Sequence, residues 1–531
     1  MIIFSGEGAA VPEKDNSIGK ARRGFWNAIF GRGAIVALML LVQLAFLVVV
    51  FFRFQQYSIY LSGTVSVLTS LFLVYLLNAW QESTIKLSWC IIIALVPVFG
   101  VLLYLFISFD VGHRQVRKYL QRIEEESAPL MPEQKELMEK LRRAEPAFYP
   151  LAVYAARYNG YPVYENTSAD YFPQGEAKYE AMLQELEKAE NFIFLEYFIV
   201  EEGEMWDSVA AILAKKAAAG VDVRVLYDGT CSYLHLPYSY PKRLRALGIQ
   251  CKVFSPIRPF VSTVYNNRDH RKILVIDGRV GFTGGVNLAD EYINRREKFG
   301  HWKDAAVMLR GDAVHSLTLM FLRMWNSGEK ERVYEPYLTH IAPSPDENTL
   351  GYVIPYGDSP MDDERTGEMI YLDIINTARD YVYIMTPYLI LDDQMLSAII
   401  FAARRGVDVR LILPGIPDKR YANLLAKSHY KQLVGAGVKI YEYTPGFVHS
   451  KVFVSDDSKA VVGTVNLDYR SLYLNFECAA LLYKSPAVAH ILRDFRETFP
   501  RCELITMEAV LKQKPLTRLL GSVLKLAAPL M

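Results

Sequence analysis

Two segments of the chain carry the same set of reactive side chains at the same spacing. The first reads HRKILVIDGRVGFTGGVN from His270 to Asn287, and the second reads HSKVFVSDDSKAVVGTVN from His449 to Asn466. Both fit the pattern H-x-K-x4-D-x6-G-x-x-N. One H-x-K sequence carries little information, but two complete copies with equal internal spacing are a specific signal. We therefore treat the two segments as parts of one site.

These side chains suit chemistry at a phosphodiester. Apolar residues follow each lysine and predict a strand, whose alternation puts the histidine and the lysine on one face, about 7 Å apart. If the two motifs meet, one imidazole can attack phosphorus and the other can protonate the leaving oxygen. Lysine and asparagine donors can hold the oxygens that gain charge in the transition state. The candidate catalytic residues are His270, Lys272, Asp277, His449, Lys451 and Asp456, and the candidate phosphate-binding residues are Asn287 and Asn466.

Four of the residues in or near the repeated segments have more than one interpretation. Asp277 and Asp456 stand where a strand meets a turn, so capping of the turn explains them at least as well as direct catalysis. Tyr197 and Tyr388 follow the first strand of each half. Packing in the core and lining of the pocket are both open for these tyrosines.

The bulk composition excludes several other classes of site. The five cysteines are scattered, without a CxxC pair or a Cys/His cluster, so the sequence predicts neither a disulfide framework nor a zinc site. No metal and no other cofactor are expected. The chain has 59 basic and 58 acidic residues and a net charge of +1. A nucleic-acid binder would normally show a clear basic excess, so nucleic acid is not an expected partner.

Each motif follows a strand, a helix and a second strand of similar sequence. Residues 192–229 and 381–415 both contain the tetrad GVDV, which begins at Gly220 and at Gly406. This order at this spacing predicts a βαβ unit with two parallel strands. The sequence therefore predicts an α/β fold made of two duplicated domains. These domains are expected over residues 151–335 and 345–505.

The amino-terminal part of the chain is strongly apolar. Three stretches without charge cover residues 33–52, 54–81 and 87–109, and about 20 apolar residues suffice for a helix to cross the hydrocarbon core of a bilayer. The sequence predicts two or three transmembrane helices within residues 33–109, and thus a multi-pass protein of the cell membrane. Basic residues flank this region on both sides, which favours two crossings over three. The adjoining segments are a basic N-terminal segment over 1–32, a connector over 110–150 and a basic amphipathic tail over 506–531.

The repeated motifs resemble the double H-x-K signature of the phospholipase D superfamily, and the likeness extends over roughly residues 150–505. Within that superfamily the chain is similar to bacterial cardiolipin synthases, in blocks such as NNRDHRKILVIDG, TGGVNLADEY, FGHWKD and GFVHSKVFVSDD. Other members often have serine after the motif glycine, where this chain has Gly285 and Thr464. The resemblance implies two phospholipase D-like α/β domains packed pseudo-symmetrically. It also implies that Glu477 and Asp304 each orient one of the imidazoles.

The resemblance further implies a phosphatidyltransferase reaction. One phosphatidylglycerol would donate its phosphatidyl group to a histidine, with His270 as the expected nucleophile, and a second would accept it, giving cardiolipin and free glycerol. The bilayer would be the other partner, and no oligomeric state is predicted. Three alternatives stay open: a hydrolase of the phospholipase D type, a membrane-anchored nuclease, and a scaffold without activity.

Overall fold

The structure is a computed structural model that describes residues 58–79, 82–108, 111–256, 267–338 and 349–528, together with Leu41, Val42, Leu44 and Ala45. The predicted basic segment over 1–32 and most of the first uncharged stretch lie outside the described residues. The chain divides into two compact units. Among the described residues, the larger unit holds 117–256, 267–338 and 349–522, and the smaller holds those before 117 together with 523–528.

Three helices make up most of the described part of the smaller unit. They are α1 (Ser58–Asn78), α2 (Ser83–Leu95) and α3 (Pro97–Ser108). The uncharged stretch at 87–109 therefore contains two helices where the sequence predicts one. Pro97 explains the break, because its ring has no N–H to donate and clashes with the preceding turn. None of the helices in the described ranges combines the length and the apolar composition that a membrane crossing requires.

Helices α2 and α3 run antiparallel and pack on each other. The rings of Trp89 and Tyr104 meet edge to face with their centroids 5.3 Å apart. Nearer to the turn, Gly100 lies so close to Ile93 that a Cβ at position 100 would be 2.8 Å from the Ile93 Cα. Glycine at this position therefore permits the close approach of the two helices.

The remaining helices and strands belong mainly to the larger unit. The helices are α4 (Val111–Ser127), α5 (Lys135–Ala144), α6 (Tyr149–Tyr158), α7 (Gly175–Leu186), α8 (Glu204–Ala218), α9 (Cys231–Leu234), α10 (Tyr240–Ala246), α11 (Val314–Asn326), α12 (Glu335–Leu338), α13 (Thr366–Thr377), α14 (Asp393–Arg404), α15 (Arg420–Gly435), α16 (Tyr469–Tyr473), α17 (Ala487–Thr498), α18 (Met507–Leu511) and α19 (Pro515–Ala527). Short 3-10 helices cover Ala128–Leu130, Asp290–Ile293 and Phe499–Arg501. The strands of the first half are β1 (Thr167–Phe172), β2 (Phe192–Tyr197), β3 (Asp222–Asp228), β4 (Gln250–Phe254), β5 (Arg268–Asp269), β6 (Lys272–Ile276), β7 (Val280–Gly284), β8 (His301–Lys303) and β9 (Ala306–Gly311). Those of the second half are β10 (Tyr352–Asp358), β11 (Tyr381–Met385), β12 (Asp408–Pro414), β13 (Lys439–Tyr443), β14 (Gly446–Val448), β15 (Val452–Ser455), β16 (Lys459–Gly463), β17 (Asn475–Tyr483) and β18 (Cys502–Leu504).

Each half contains one mixed sheet, and the two sheets have the same strand order. The first runs β1-β9-β7-β6-β2-β3-β4, and the second runs β10-β17-β16-β15-β11-β12-β13 with β18 added at its edge. Strands β2 and β3 are parallel, as are β11 and β12. The predicted βαβ units, which cross over through α8 and α14, are thus confirmed. The matching order also confirms that the α/β fold is duplicated.

Two very short strands join the halves reciprocally. Strand β5, just before His270, pairs in parallel with the start of β17 in the second half. Strand β14, just before His449, pairs in parallel with β8 in the first half. Both pairings connect the segment before a motif histidine to a segment of the other half. This exchange gives the packing its pseudo-symmetry and brings the two motifs together.

Candidate active site

Both motif histidines lie where the two halves meet. The backbone N–H of His270 donates to the carbonyl oxygen of Phe476 at 2.9 Å, and that of His449 donates to the carbonyl oxygen of Lys303 at 2.7 Å. Both imidazoles are almost completely buried. Each histidine is therefore fixed, through its own backbone, to the strand end that precedes an acidic residue of the other half.

Each imidazole pairs with a carboxylate from the opposite half. His270 Nδ1 lies 2.8 Å and 2.9 Å from the two carboxylate oxygens of Glu477. His449 Nδ1 lies 2.6 Å from Asp304 Oδ2. The carboxylates accept the Nδ1 protons, which leaves the Nε2 atoms available for chemistry. The family resemblance predicts that Glu477 and Asp304 each orient one imidazole. The structure adds which carboxylate pairs with which histidine, and that each pair joins the two halves.

Burial determines the charge state of the imidazoles. It lowers the pKa of His270 to about 4 and that of His449 to about 3, so both rings are neutral near pH 7 in the free protein. For Glu477 and Asp304, burial alone would raise the pKa, but the neighbouring histidine and lysine outweigh it and hold each pKa below its usual value. Each imidazole is therefore neutral and pairs through Nδ1 with an ionised carboxylate.

The motif lysines lie beside the backbone of their own histidines. Lys272 Nζ donates to the His270 carbonyl oxygen at 2.6 Å, and Lys451 Nζ donates in the same way to the His449 carbonyl oxygen. Burial lowers the pKa of Lys272 to about 8 and that of Lys451 to about 7. An incoming phosphodiester would favour their charged forms, since an anion close to an ammonium group raises its pKa.

The two motif asparagines have different surroundings. Asn287 accepts from the N–H of Ile199 at 3.0 Å and donates to the Tyr292 hydroxyl at 2.7 Å, and the Tyr292 ring lies edge-on to His449 at 5.4 Å between centroids. Asn287 thus positions Tyr292, and binding of phosphate by Asn287 stays a prediction. Asn466 is also buried, but its amide oxygen has no hydrogen-bond partner among the described residues.

The motif aspartates hold turns at the far end of their strands. Asp277 accepts from the backbone N–H groups of residues 190–192, and Asp456 accepts from those of residues 379–381. Asp277 is seven residues from His270, roughly 20 Å along an extended strand. Each carboxylate thus accepts three backbone hydrogen bonds at the turn, and a direct catalytic role for Asp277 and Asp456 stays a prediction. The turn-capping interpretation is the one that their hydrogen bonds support.

The residue after each motif glycine makes the two imidazole–carboxylate pairs different. The Thr464 hydroxyl donates to Glu477 Oε2 and also accepts from the N–H of Cys478 at 3.0 Å. At the matching position 285, a Cβ would lie only 2.0 Å from Asp304 Oδ1. Threonine therefore adds a donor to one carboxylate, while glycine makes room for the other. Each carboxylate belongs to the same half as the residue at position 464 or 285 that it meets, whereas the imidazole that it pairs with comes from the opposite half.

This arrangement can carry out two-step transfer at phosphorus. One Nε2 can attack, the second imidazole can handle the proton of the alcohol, and two ammonium groups can hold the phosphoryl oxygens. In the part of the chain that the structure describes, no group of three His, Cys, Asp or Glu side chains is arranged to hold a metal ion.

Comparison with protein-family models places most of this architecture in a known family. The model described as cardiolipin synthase, PLD-like domain, matches residues 182–325 and 371–499, one segment in each half. A second model, described as the N-terminal region of phospholipase D-nuclease proteins, matches residues 67–108.

Individual relatives agree with the family models. A cardiolipin synthase of Geobacillus kaustophilus is 37% identical over 450 residues, which cover 84% of this chain and 88% of that protein. An uncharacterised protein of Streptococcus mutans is 51% identical over 86% of this chain and 99% of its own length. Among solved structures, the phosphatidylserine synthase of Haemophilus influenzae superposes with a TM-score of 0.52 at 15% identity, covering 68% of this chain and 93% of that one. This last likeness concerns the fold alone.

Proposed function

This chain belongs to the cardiolipin synthase family of phospholipase D-like proteins, and from that premise we propose that it makes cardiolipin from two molecules of phosphatidylglycerol. It is a phosphatidyltransferase of the phospholipase D superfamily. The observation that carries the proposal is the pair of crossed imidazole–carboxylate dyads at one centre. Exchange of one phosphodiester for another through a covalent intermediate uses one imidazole as the nucleophile and a second that first donates and then accepts a proton, and both are present.

The proposed first step forms an enzyme-bound phosphatidyl group. Nε2 of His270 attacks phosphorus, the bond from phosphorus to the glycerol oxygen breaks, and His449 gives that oxygen a proton. The diester anion beside His449, together with Asp304, favours the protonated ring that this step requires. In the second step a glycerol hydroxyl of another phosphatidylglycerol attacks phosphorus, returns its proton to His449 and releases His270. Lys272 and Lys451 balance the charge on the phosphoryl oxygens in both steps.

Product analysis with the full-length protein tests this reaction. The protein would be incubated in phosphatidylglycerol vesicles and the lipids identified by mass spectrometry. We expect cardiolipin and free glycerol in equal amounts. Mass spectrometry of protein quenched in denaturant at neutral pH, where a phosphohistidine bond survives better than in acid, should find the phosphatidyl adduct on His270. Full activity of His270→Ala or His449→Ala would contradict the two-histidine mechanism. An adduct on His449 would exchange the two roles and leave the chemistry in place.

A hydrolase is the second candidate function, since water can also resolve a phosphohistidine. Water is abundant, so a transferase must favour its lipid alcohol by position. Phosphatidic acid as the main product in an intact bilayer would identify the protein as a hydrolase. The family assignment and the near-neutral charge both disfavour a nuclease.

We further propose that the amino-terminal region holds the enzyme in the membrane with more than one crossing. The support comes from the uncharged stretches at 33–52, 54–81 and 87–109, and from the apolar side chains that α1 and α2 leave exposed. Among these, Leu71 is 62% exposed and Leu95 is 77% exposed. Alkaline carbonate washing of membranes tests the idea. Release of the full-length protein into the wash would contradict it.

A further inference from the structure

Two loops beside the motif histidines occupy equivalent places in the duplicated fold. The first edge loop, residues 229–239, follows β3, and the second edge loop, residues 415–421, follows β12 and includes the first two residues of α15. Each begins with a glycine nine residues after its GVDV glycine (229 − 220 = 9 and 415 − 406 = 9). In both loops the N–H of this glycine donates to the carbonyl oxygen of the last residue of the next parallel strand. Both loops thus leave the carboxyl end of a parallel strand, the edge where ligands bind in open α/β sheets.

The first edge loop starts beside His270. Asp228, which directly precedes the loop, accepts at 3.1 Å from the N–H of Asp269, the residue before His270. Cys231 Sγ donates to the Phe198 carbonyl oxygen at 2.9 Å, and the Phe198 ring lies 4.9 Å from the His270 ring between centroids. The loop is therefore fixed both to the segment that carries this imidazole and to the ring that packs against it.

The second edge loop is fixed in a similar way to the segment before His449. The backbone N–H groups of Gly415 and Ile416 both donate to the carbonyl oxygen of Gly446 at 3.1 Å. Gly446 begins β14, which ends directly before His449. The two edge loops thus border the catalytic centre, one from each half.

Both edge loops present apolar side chains to solvent. Leu234 and Tyr238 in the first are 62% and 65% exposed, and Ile416 and Tyr421 in the second are 42% and 43% exposed. A single exposed apolar residue has no special meaning, but here such residues recur at equivalent loops beside a centre that acts on lipids. Tyrosine suits the boundary of a bilayer, because its ring is apolar and its hydroxyl group is polar.

Positive charge accompanies the apolar side chains of both edge loops. Residues 229–246 contain three Lys and Arg and no acidic residue, and residues 415–431 contain four Lys and Arg and one acidic residue. Each segment thus carries a formal charge of +3 (3 − 0 and 4 − 1), whereas the whole chain carries +1. Lys242 and Arg420 are among the exposed bases. Basic side chains next to apolar ones are attracted to a bilayer of anionic lipid such as phosphatidylglycerol.

Helix α19 adds apolar surface next to the second edge loop. It packs on the start of α15, where a Cβ at Gly521 would lie 3.2 Å from the carbonyl oxygen of Leu424. Leu516, Leu519 and Leu520 are exposed and lie on one face of α19 by their helical spacing. Helices with an apolar face and basic residues are typical of binding at a membrane surface.

We propose that the two edge loops, together with α19, form a docking surface for an anionic phospholipid bilayer and hold the catalytic centre against the lipid headgroups. The inference rests on the proposed function and deepens it, since a phosphatidyltransferase takes both of its substrates from a bilayer. Contact on both sides of the centre places lipid hydroxyl groups, and not bulk water, next to the enzyme-bound phosphatidyl group. The docking surface thus favours transfer over hydrolysis by position.

Fluorescence quenching tests the contact directly. Tyr238→Trp and Tyr421→Trp would be made in the full-length protein and reconstituted in phosphatidylglycerol vesicles with or without bromine on the upper part of the acyl chains. Bromine quenches tryptophan on close contact, so the emission that each variant adds to that of the unmodified protein should be largely lost in the brominated lipid. Leu247→Trp is the matched control, because Leu247 is 51% exposed but precedes β4, at the opposite edge of the sheet. Its added emission should not be quenched.

Activity with two lipids tests what the docking surface does. The double variant Leu234→Ser with Tyr421→Ser would be compared with Leu247→Ser. Each would receive long-chain phosphatidylglycerol in vesicles or, when held in phosphatidylcholine vesicles, water-soluble dibutyroyl phosphatidylglycerol. We expect the ratio of the long-chain rate to the soluble-lipid rate to fall by about tenfold or more in the double variant, since burial of one such side chain is worth at least that factor. The ratio should stay unchanged in Leu247→Ser.

The possible outcomes separate the docking surface from the function. If the unmodified protein makes no cardiolipin, the proposed function is wrong, while quenching, which needs no turnover, still decides on the surface. If Tyr238→Trp and Tyr421→Trp are quenched no more than Leu247→Trp, the docking surface is wrong and the function stands. A shift of their emission to shorter wavelength without quenching also overturns the surface, because protein and not lipid would then cover the loops. Equal falls with both lipids in the double variant would contradict docking as well, since they indicate damage to the centre.

Discussion

Asp304 can reach His449 because residue 285 has no side chain. A Cβ there would come within 2.0 Å of Asp304 Oδ1, so Gly285→Ala should push the carboxylate away from the imidazole that it orients. A displacement of about 1 Å in a catalytic constellation can cost about 100-fold in rate. We therefore expect cardiolipin formation by Gly285→Ala to fall by about 100-fold or more, measured as the initial rate in phosphatidylglycerol vesicles.

The control for this change is Gly435→Ala, near the end of α15. A Cβ at that position makes only an ordinary contact, 3.5 Å from Met507 Cε. Its activity should stay close to that of the unmodified protein, and thermal unfolding would show that both variants are folded. Activity of Gly285→Ala within threefold of normal would mean that Asp304 does not orient His449.

The buried lysines and histidines define the pH dependence of the free enzyme. Below pH about 4 the His270 imidazole gains a proton and loses its nucleophilic nitrogen, and above about 7 Lys451 begins to lose its charge, followed by Lys272 near 8. We expect kcat/KM to fall on both sides of this window, since it reports the ionisation of the free enzyme. A pH–rate profile from pH 3 to 10 measures this. In Lys451→Arg, the alkaline fall should begin later, because arginine keeps its charge; an unchanged profile would contradict the role of Lys451.

At the residue scale, the sequence identifies the reactive groups but not their partners. The equal spacing from His270 to Asn287 and from His449 to Asn466 is sufficient to find the histidines and lysines. Which carboxylate serves which imidazole depends on contacts more than 140 residues apart in sequence. No periodic pattern encodes such contacts, since periodicity reports only which face of an element is buried.

A buried ion pair links β8 of the first half to α17 of the second. Lys303 Nζ lies 2.7 Å from Asp494 Oδ1, the Tyr171 hydroxyl donates to Asp494 Oδ2 at 2.7 Å, and both charged side chains are less than 10% exposed. Removing one partner of a buried pair leaves the other charge uncompensated, at a cost of about 3–5 kcal/mol. We expect Asp494→Ala to lower the free energy of unfolding by about that amount, measured by denaturant titration in detergent.

Two further variants show whether burial is the reason for this effect. The double change Lys303→Met with Asp494→Leu leaves no unpaired charge and should destabilise less than Asp494→Ala. Glu508→Gln breaks the fully exposed pair with Lys512, whose side chains are 76% and 75% exposed, and should change stability little. Equal losses in Asp494→Ala and the double variant would show that the cost comes from packing and not from charge.

At the scale of elements, long periodic segments are predictable and very short strands are not. The apolar runs at 192–197 and 381–385 and the helices that follow them form the expected βαβ units. Strands β5 and β14 have two and three residues, too few for a period of two to be recognised. The break at Pro97 could have been read from the ring chemistry of proline, whereas the uncharged run around it suggests continuity.

At the scale of the whole molecule, the exchange of short strands makes each half depend on the other. The first half supplies His270 and the carboxylate of Asp304, and the second supplies His449 and the carboxylate of Glu477. The sequence shows the duplication through its repeated motifs. It cannot show that the two copies exchange carboxylates, because both copies would look the same if each dyad were formed within one half.

The exchange predicts how the enzyme behaves when its chain is cut between the halves. A protease site would be inserted after residue 344, outside the described ranges, and cleaved after purification of the folded protein. Because the dyads and the buried pair of Lys303 with Asp494 cross between the halves, non-covalent contacts should hold the cut protein together with near-normal activity.

Unfolding in denaturant followed by separation of the two fragments should abolish activity in each, and refolding them together should restore it. The matched control is the uncut protein with the same insertion, carried through the same denaturation and refolding. Phosphodiester cleavage by a single fragment, at any concentration where it is monomeric, would show that a working dyad forms within one half and that the crossed pairing is not required.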